Sequence, residues 1–226
     1  MTSRLGYITR SAIGVAVLGF AAQLMASAPA VAQSTPAVSP LLQIDQQREI
    51  ALALSACPAA VAPKAAVYVR GQSGYVKLRE GENGFTALLT TPAGQIAPLC
   101  MDAEGTRVVL PRVLKQAELR AQGKSPDEIK RAIADGYAKG VFQPPSRPGV
   151  NYMLSPENRL LNEKGEIVPF PPHVMVYAPY LTNAEIGVGH ELGPDGNLMG
   201  PATVFAEGTP EALIIIPIGA PAGHSH

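Results

Sequence analysis

The chain has 226 residues, with 18 basic and 18 acidic side chains, 5% aromatic residues and no tryptophan. That length holds one domain or two small ones. The balanced charge leaves no basic stripe for nucleic acid and no lysine-rich amphipathic helix for a membrane surface.

The first 32 residues read as an export signal. Arg4 and Arg10 supply a positive start, "SAIGVAVLGFAAQLMA" an apolar run, and "SAPAVAQ" places Ala30 and Ala32 at −3 and −1 of a cut before Gln33. The run is too short and too rich in Ala and Gly for a membrane span. "LSAC", Leu54 to Cys57, matches the pattern before a lipid-modified cysteine, but the polar "IDQQREI" stands where an apolar segment is needed. Removing residues 1–32 removes two arginines and no acid, which leaves 16 basic against 18 acidic residues and a net charge of −2. A secreted or periplasmic chain meets oxidising conditions, so Cys57 and Cys100 are expected to form one disulfide.

Residues 33–39, "QSTPAVS", read as a loose linker. Ser39 then fits an N-cap with Pro40 at the first helical position. Leu41, Ile44, Ala51 and Leu52 share an apolar helical face, and Cys57-Pro58 ends the helix. From 64 to 110 the period changes. "AAVYVR", "GYVKL", "GFTALLT" and "TRVVL" are expected strands, separated by "GQSG", "EGENG" and "TPAGQ". Alternation in "YVKLRE" puts Tyr75, Lys77 and Arg79 on one side and Val76 and Leu78 on the other, one side wet and one buried.

"RVLKQAELRAQ" is an expected helix ending at Gly123. Ser125, Pro126 and Glu128 form a capping box for a second, which stops at Gly140. Residues 143–149, "QPPSRPG", make an extended connection. "VNYML" and "HVMVYA" read as strands, and "NEKGE", 162–166, as a turn between two short strands. "TNAE", 182–185, can cap a short helix. Residues 187–202 form a Gly- and Pro-rich loop, "ALIIIPI", 212–218, a buried central strand, and 219–226 a disordered tail. The fold expected over 40–218 is one α+β domain: an antiparallel sheet, a meander plus later strands, with an N-terminal helix and a central helix pair.

Familiar chemistries are absent. "GKS" at 123–125 lacks the glycine of a phosphate loop, since that position is Glu118. "GVGHELG", 187–193, misses the dinucleotide spacing, and "HEL" lacks the second histidine of a zinc protease. "GQSGY" is no nucleophile elbow. No metal site and no cofactor are expected. His224 and His226 lie in the tail, and His190 is alone in its loop.

Two readings of function follow. The first is a non-catalytic exported module that binds a small molecule or an envelope protein. The second is a hydrolase or metal-assisted enzyme in which His173 works with Asp102 or Glu104, a His–carboxylate pair suited to general base chemistry. Arg107, Tyr152, Arg159 and Tyr177 are candidate ligand-binding residues: the arginines for a carboxylate or phosphate, and Tyr177 with Tyr180, flanking Pro179, as an aromatic wall. The structural alternatives are plain. His173 caps a strand, the 100–107 segment is a solvated turn with an ion pair, and the tyrosine hydroxyls satisfy local carbonyls.

Overall fold

A computed structural model describes residues 44–162, 165–188 and 202–218. The expected signal, linker and tail, the Ser39 cap, and His190, His224 and His226 lie outside the described residues.

Helix α1 (Gln46–Ser55) is capped by Asp45, whose carboxylate accepts from the Arg48 amide at 2.8 Å. Its buried face is Glu49, Leu52 and Ala53; Ala51, expected inside, faces solvent. Glu49 is tolerated there because it accepts from the Arg70 amide at 2.8 Å and pairs with the Arg70 guanidinium at 3.2 Å.

Strands β1 (Ala66–Gly71) and β2 (Gly74–Arg79) form a hairpin. Strand β3 (Thr86–Thr90) lies on the other side of β1 and runs parallel to it, and β4 (Ala97–Met101) pairs antiparallel with β3. The expected meander is therefore broken at one step. "TRVVL" is not a strand. It lies inside helix α2 (Ala103–Ala121), because Asp102 caps the Gly105 amide at 2.8 Å and starts the helix there. Pro111 sits mid-helix and hides this continuity in the sequence. Helix α3 (Pro126–Ala138) carries the expected capping box, and Gly123 and Gly140 adopt the left-handed conformation after α2 and α3.

Strand β5 (Val150–Met153) follows. Strands β6 (Arg159–Leu161) and β7 (Ile167–Pro169) make the small expected hairpin. Then come β8 (His173–Tyr177), β9 (Thr203–Phe205) and β10 (Leu213–Pro217). The large sheet has the order β2-β1-β3-β4-β5-β8-β10-β9 and is antiparallel except at β1/β3. The class is α+β, as expected. β10 is next to the edge and not central, and Ile216 on it is 39% exposed. "TNAE" makes the capping bonds between Thr182 and Glu185, yet the chain only turns, and Gly187 takes a positive φ.

Alternation along the strands builds two cores. Leu88, Met101, Met153, Met175, Tyr177 and Leu213 face α2, while Ala87, Leu89 and Cys100 face α1 with Leu52 and Ala53. The disulfide Cys57–Cys100 ties the end of α1 to β4 on that second face. At the β2 edge the alternation gives no fully buried face, and Lys77 is exposed. Tyr75 packs inward, and its hydroxyl donates to the Leu89 carbonyl at 2.6 Å, whereas Val76 and Leu78 are 54% and 47% exposed. Helix α1 packs against β1, β3 and β4.

Candidate functional site

The candidate residues of the 100–107 segment form the first turn of α2, not a turn between strands. Both Asp102 oxygens are occupied: Oδ1 accepts from the Gly105 amide at 2.8 Å, and Oδ2 from the Val150 amide at 2.9 Å. Asp102 thus ties α2 to β5. Glu104 is buried and accepts from the Arg107 guanidinium at 2.6 and 3.1 Å, the Ser146 amide at 2.8 Å and Arg147 Nε at 3.3 Å. Hydrogen bonds from Arg107, with the Ser146 amide and Arg147 behind them, hold its carboxyl down at about 2 against the cost of burial. Glu104 latches the 143–149 segment onto the helix.

Tyr177 closes this cluster. Its hydroxyl donates to Asn151 Oδ1 at 2.6 Å and lies 3.2 Å from the Val150 carbonyl. Burial pushes the phenol well above its ordinary value, and the Asp102 and Glu104 charges add to that. It stays protonated at neutral pH, with its proton committed to Asn151. Two glycines make room for it. A β-carbon on Gly149 would meet Asp102 Oδ2 at 2.5 Å and the Tyr177 ring at 2.8 Å, and one on Gly105 would run into the Tyr177 hydroxyl.

His173 stands elsewhere. It pairs with Met153, whereas Asp102 bonds Val150, which pairs with Val176. Three residues of strand separate the two, about 10 Å. His173 is 1% exposed, its Nδ1 lies 2.8 Å from the Pro171 carbonyl, and its ring stands edge-on to Phe170 at 4.9 Å. Burial holds its imidazole below the ordinary value, with the Pro171 bond opposing. The structure brings His173 to neither Asp102 nor Glu104. Tyr152 stacks on Phe85 at 6.4 Å on the α1 face, and Arg159 donates to the Asn158 carbonyl at 2.9 Å on the small hairpin. Among the candidates, only Asp102, Glu104, Arg107 and Tyr177 come together, and their hydrogen bonds run to other groups of the protein.

A different surface draws notice. Among the described residues, Tyr180 and Phe205 are the only exposed aromatic rings, at 58% and 59%. The only two non-glycine residues with positive φ among the described residues are Tyr180 itself (68°) and Ala206 (53°), the neighbour of Phe205. A left-handed tyrosine is costly, roughly 1–2 kcal/mol. The two loops that hold them are bonded together: Tyr180 N–H donates to the Thr209 carbonyl at 2.8 Å, and Gly208 N–H to the Leu181 carbonyl at 3.0 Å. Phe205 pairs with Leu213, so it shares the α2 side of the sheet.

Polar groups adjoin the rings. Arg112 of α2 reaches Glu211 at 3.0 Å, with side chains 14% and 23% exposed. Burial raises the Tyr137 hydroxyl on α3, Arg112 opposes the shift, and Glu211 and Tyr180 add to it. Tyr180 was visible in sequence beside Pro179. Phe205 was not, because a three-residue strand leaves no alternation to read.

The edge beneath Phe205 is sealed. Asn183, 2% exposed, accepts from the Val204 amide at 2.7 Å and donates to the Val204 carbonyl at 3.0 Å. Its amide occupies both outward backbone groups of that residue, as a neighbouring strand would. Glu207 accepts from the Asn183 amide at 2.8 Å.

Away from this patch, a shallow groove of about 620 Å³ runs between α2 and α3, lined by Pro111, Leu114, Lys115, Glu118, Val141 and Phe142. It brings together no buried titratable group. Among the described residues, no cluster of three or more His, Cys, Asp or Glu side chains could hold a metal, and no helix is long and apolar enough to cross a membrane. Comparison with protein families, curated proteins and solved structures finds no match to this chain.

Proposed function

We propose that this protein is an exported, non-catalytic binding module whose contact surface is the patch around Tyr180 and Phe205. One observation carries the reading: the only exposed aromatic rings of the described chain converge on one pair of bonded loops, and those loops hold its only left-handed non-glycine residues. Exposed aromatic rings supply large contact area at small entropic cost and dominate the energetics of contact surfaces. Backbone strain retained at a surface points to use of that surface. Export is supported by the signal-like first 32 residues and by the Cys57–Cys100 disulfide, which needs an oxidising compartment. The buried polar groups tell against catalysis, because Asp102, Glu104, Tyr177 and His173 face protein groups in place of a cleft.

Site-specific photocrosslinking in the producing cells tests this. A benzophenone amino acid at position 180 or 205 should give a shared adduct, and one at Lys130, on the outer face of α3, should not. Equal labelling at all three positions, or none at 180 and 205, would remove the reading.

A further inference from the structure

We propose that the small hairpin of β6 and β7 is a pH-operated latch, closed over His173 while that imidazole is neutral and released from the large sheet when it is protonated. His173 is 1% exposed. Its ring meets Phe170 edge-on at 4.9 Å, and its Nδ1 lies 2.8 Å from the Pro171 carbonyl, so the residues that lead out of β7 cover it. On the other side of the hairpin's base, the Asn158 carbonyl accepts from the Phe170 amide at 3.1 Å. Asn158 Nδ2 donates to the Met153 carbonyl at 2.9 Å, and Met153 is the cross-strand partner of His173.

Among the described residues, nothing around the ring balances a second proton. Strands β5, β8 and β10 flank it and hold no other charged side chain. Their titratable groups are Tyr152, on the α1 face, and Tyr177, whose proton is committed to Asn151. In the connection from β5, Glu157 pairs with Arg48, and beside β7, Glu166 accepts from Asn162. Arg159, which donates to the Asn158 carbonyl, carries the same sign as a protonated imidazole. A cation formed at His173 is therefore buried without a counter-ion, and exposing it to water relieves that cost.

The hairpin is also loosely held. Its two strands pair with each other, and the backbone joins the large sheet's side through the Arg159–Ile96 bridge and a bond from the Leu161 amide to Gln95. Leu161 and Ile167 are 45% and 42% exposed. Asn158 Oδ1 is buried with no hydrogen-bond partner, so opening returns it to water and lowers the cost of release. Leu154 and Pro172 are bonded to Ala56 and Ile218, which sets the hinges just inside them. Release bares Leu160, which packs against the α2 core, and Met153.

Amide hydrogen exchange of the oxidised full chain, read by NMR from pH 7.5 to 5.5 and corrected for the intrinsic rate, tests the latch. An imidazole that titrates near about 6.5 when open and stays neutral when closed multiplies the open population about tenfold over that range. The Ile96, Arg159 and Phe170 amides should lose about tenfold in protection, while Leu88 in β3 keeps its own. His173→Phe and His173→Gln, one apolar and one polar, should each abolish this step. A step that persists in either variant overturns the proposal, as does unchanged protection at the three amides. Equal loss at Leu88 means that the whole fold opens, and overturns it too. That contrast is measured in the parent chain, so it decides even where a variant does not fold.

Discussion

The Tyr177 hydroxyl occupies the space that a β-carbon on Gly105 would need. The same hydroxyl donates to Asn151, so helix α2, strand β8 and strand β5 meet at one oxygen. Gly105→Ala should cost about 1–3 kcal/mol, the usual range for overpacking a well-filled core. Adding Tyr177→Phe removes the clashing oxygen and should recover part of the loss. Urea unfolding of the two single variants and the double variant reads the coupling. Simple additivity would mean that the two residues do not compete for that space.

Asn183→Ala should do two things at once. Losing its bonds to Val204 should destabilise the fold by about 1–3 kcal/mol, the cost of leaving buried polar groups unpaired. It also bares the edge of β9. Sedimentation should then show concentration-dependent association absent from the parent chain. A variant that stays monomeric at every concentration would show that other features guard that edge.

Acid should act in two separate windows. The His173 imidazole is held below its ordinary 6.5 by burial. The unfolded chain therefore binds the proton first, and stability falls as the pH drops below about 6.5 until the folded state also protonates. His173→Gln should flatten the melting temperature between pH 7 and 5.5. An unchanged slope would refute the assignment.

The Glu104 carboxyl moves from 4.5 to about 2, chiefly through Arg107. Its contribution is complete above 4.5 and disappears as the pH falls from 4.5 toward 2. Glu104→Gln should lower stability at neutral pH and remove this lower window while leaving the His173 window in place. Melting curves from pH 2 to 5 read the difference.

The double change Cys57→Ala with Cys100→Ala opens a loop with a sequence separation of 43. The chain-entropy relation gives a loss of about 4 kcal/mol. Guanidinium unfolding of the two forms checks this, and a loss under about 1 kcal/mol would show that the unfolded chain gains little freedom.

Local signals in the sequence carried far. Ser125 with Glu128, Gly123 and Gly140 mark helix ends through bonds within a few residues, and these positions behave as their types require. The disulfide follows from the only two cysteines in the sequence, whose first 32 residues read as an export signal. Long-range placement was hidden. Nothing near Ala66 announces that Thr86 will lie parallel beside it. Val108-Val109-Leu110-Pro111 reads as a strand and its stop, yet the Asp102 cap upstream makes it helix. Asp102 and Glu104 could be read as partners of His173, because the Val150 and Ser146 amides that occupy them are remote in the chain. The Tyr180–Phe205 patch is equally non-local, since the bonded segments come from two different connections, one after β8 and one between β9 and β10.

The staple between Cys57 and Cys100 also bears on how the sheet assembles. An oxidised unfolded chain carries β1, β2, β3 and nearly all of β4 inside one closed ring. Parallel pairing of β1 with β3 is the step that a free chain reaches slowly, because distant segments must meet before any contact rewards them. The ring removes part of that search in advance. The ring thereby favours early formation of the half of the sheet beside α1, whose strand β4 carries the register that β5 takes up through Cys100 and Tyr152.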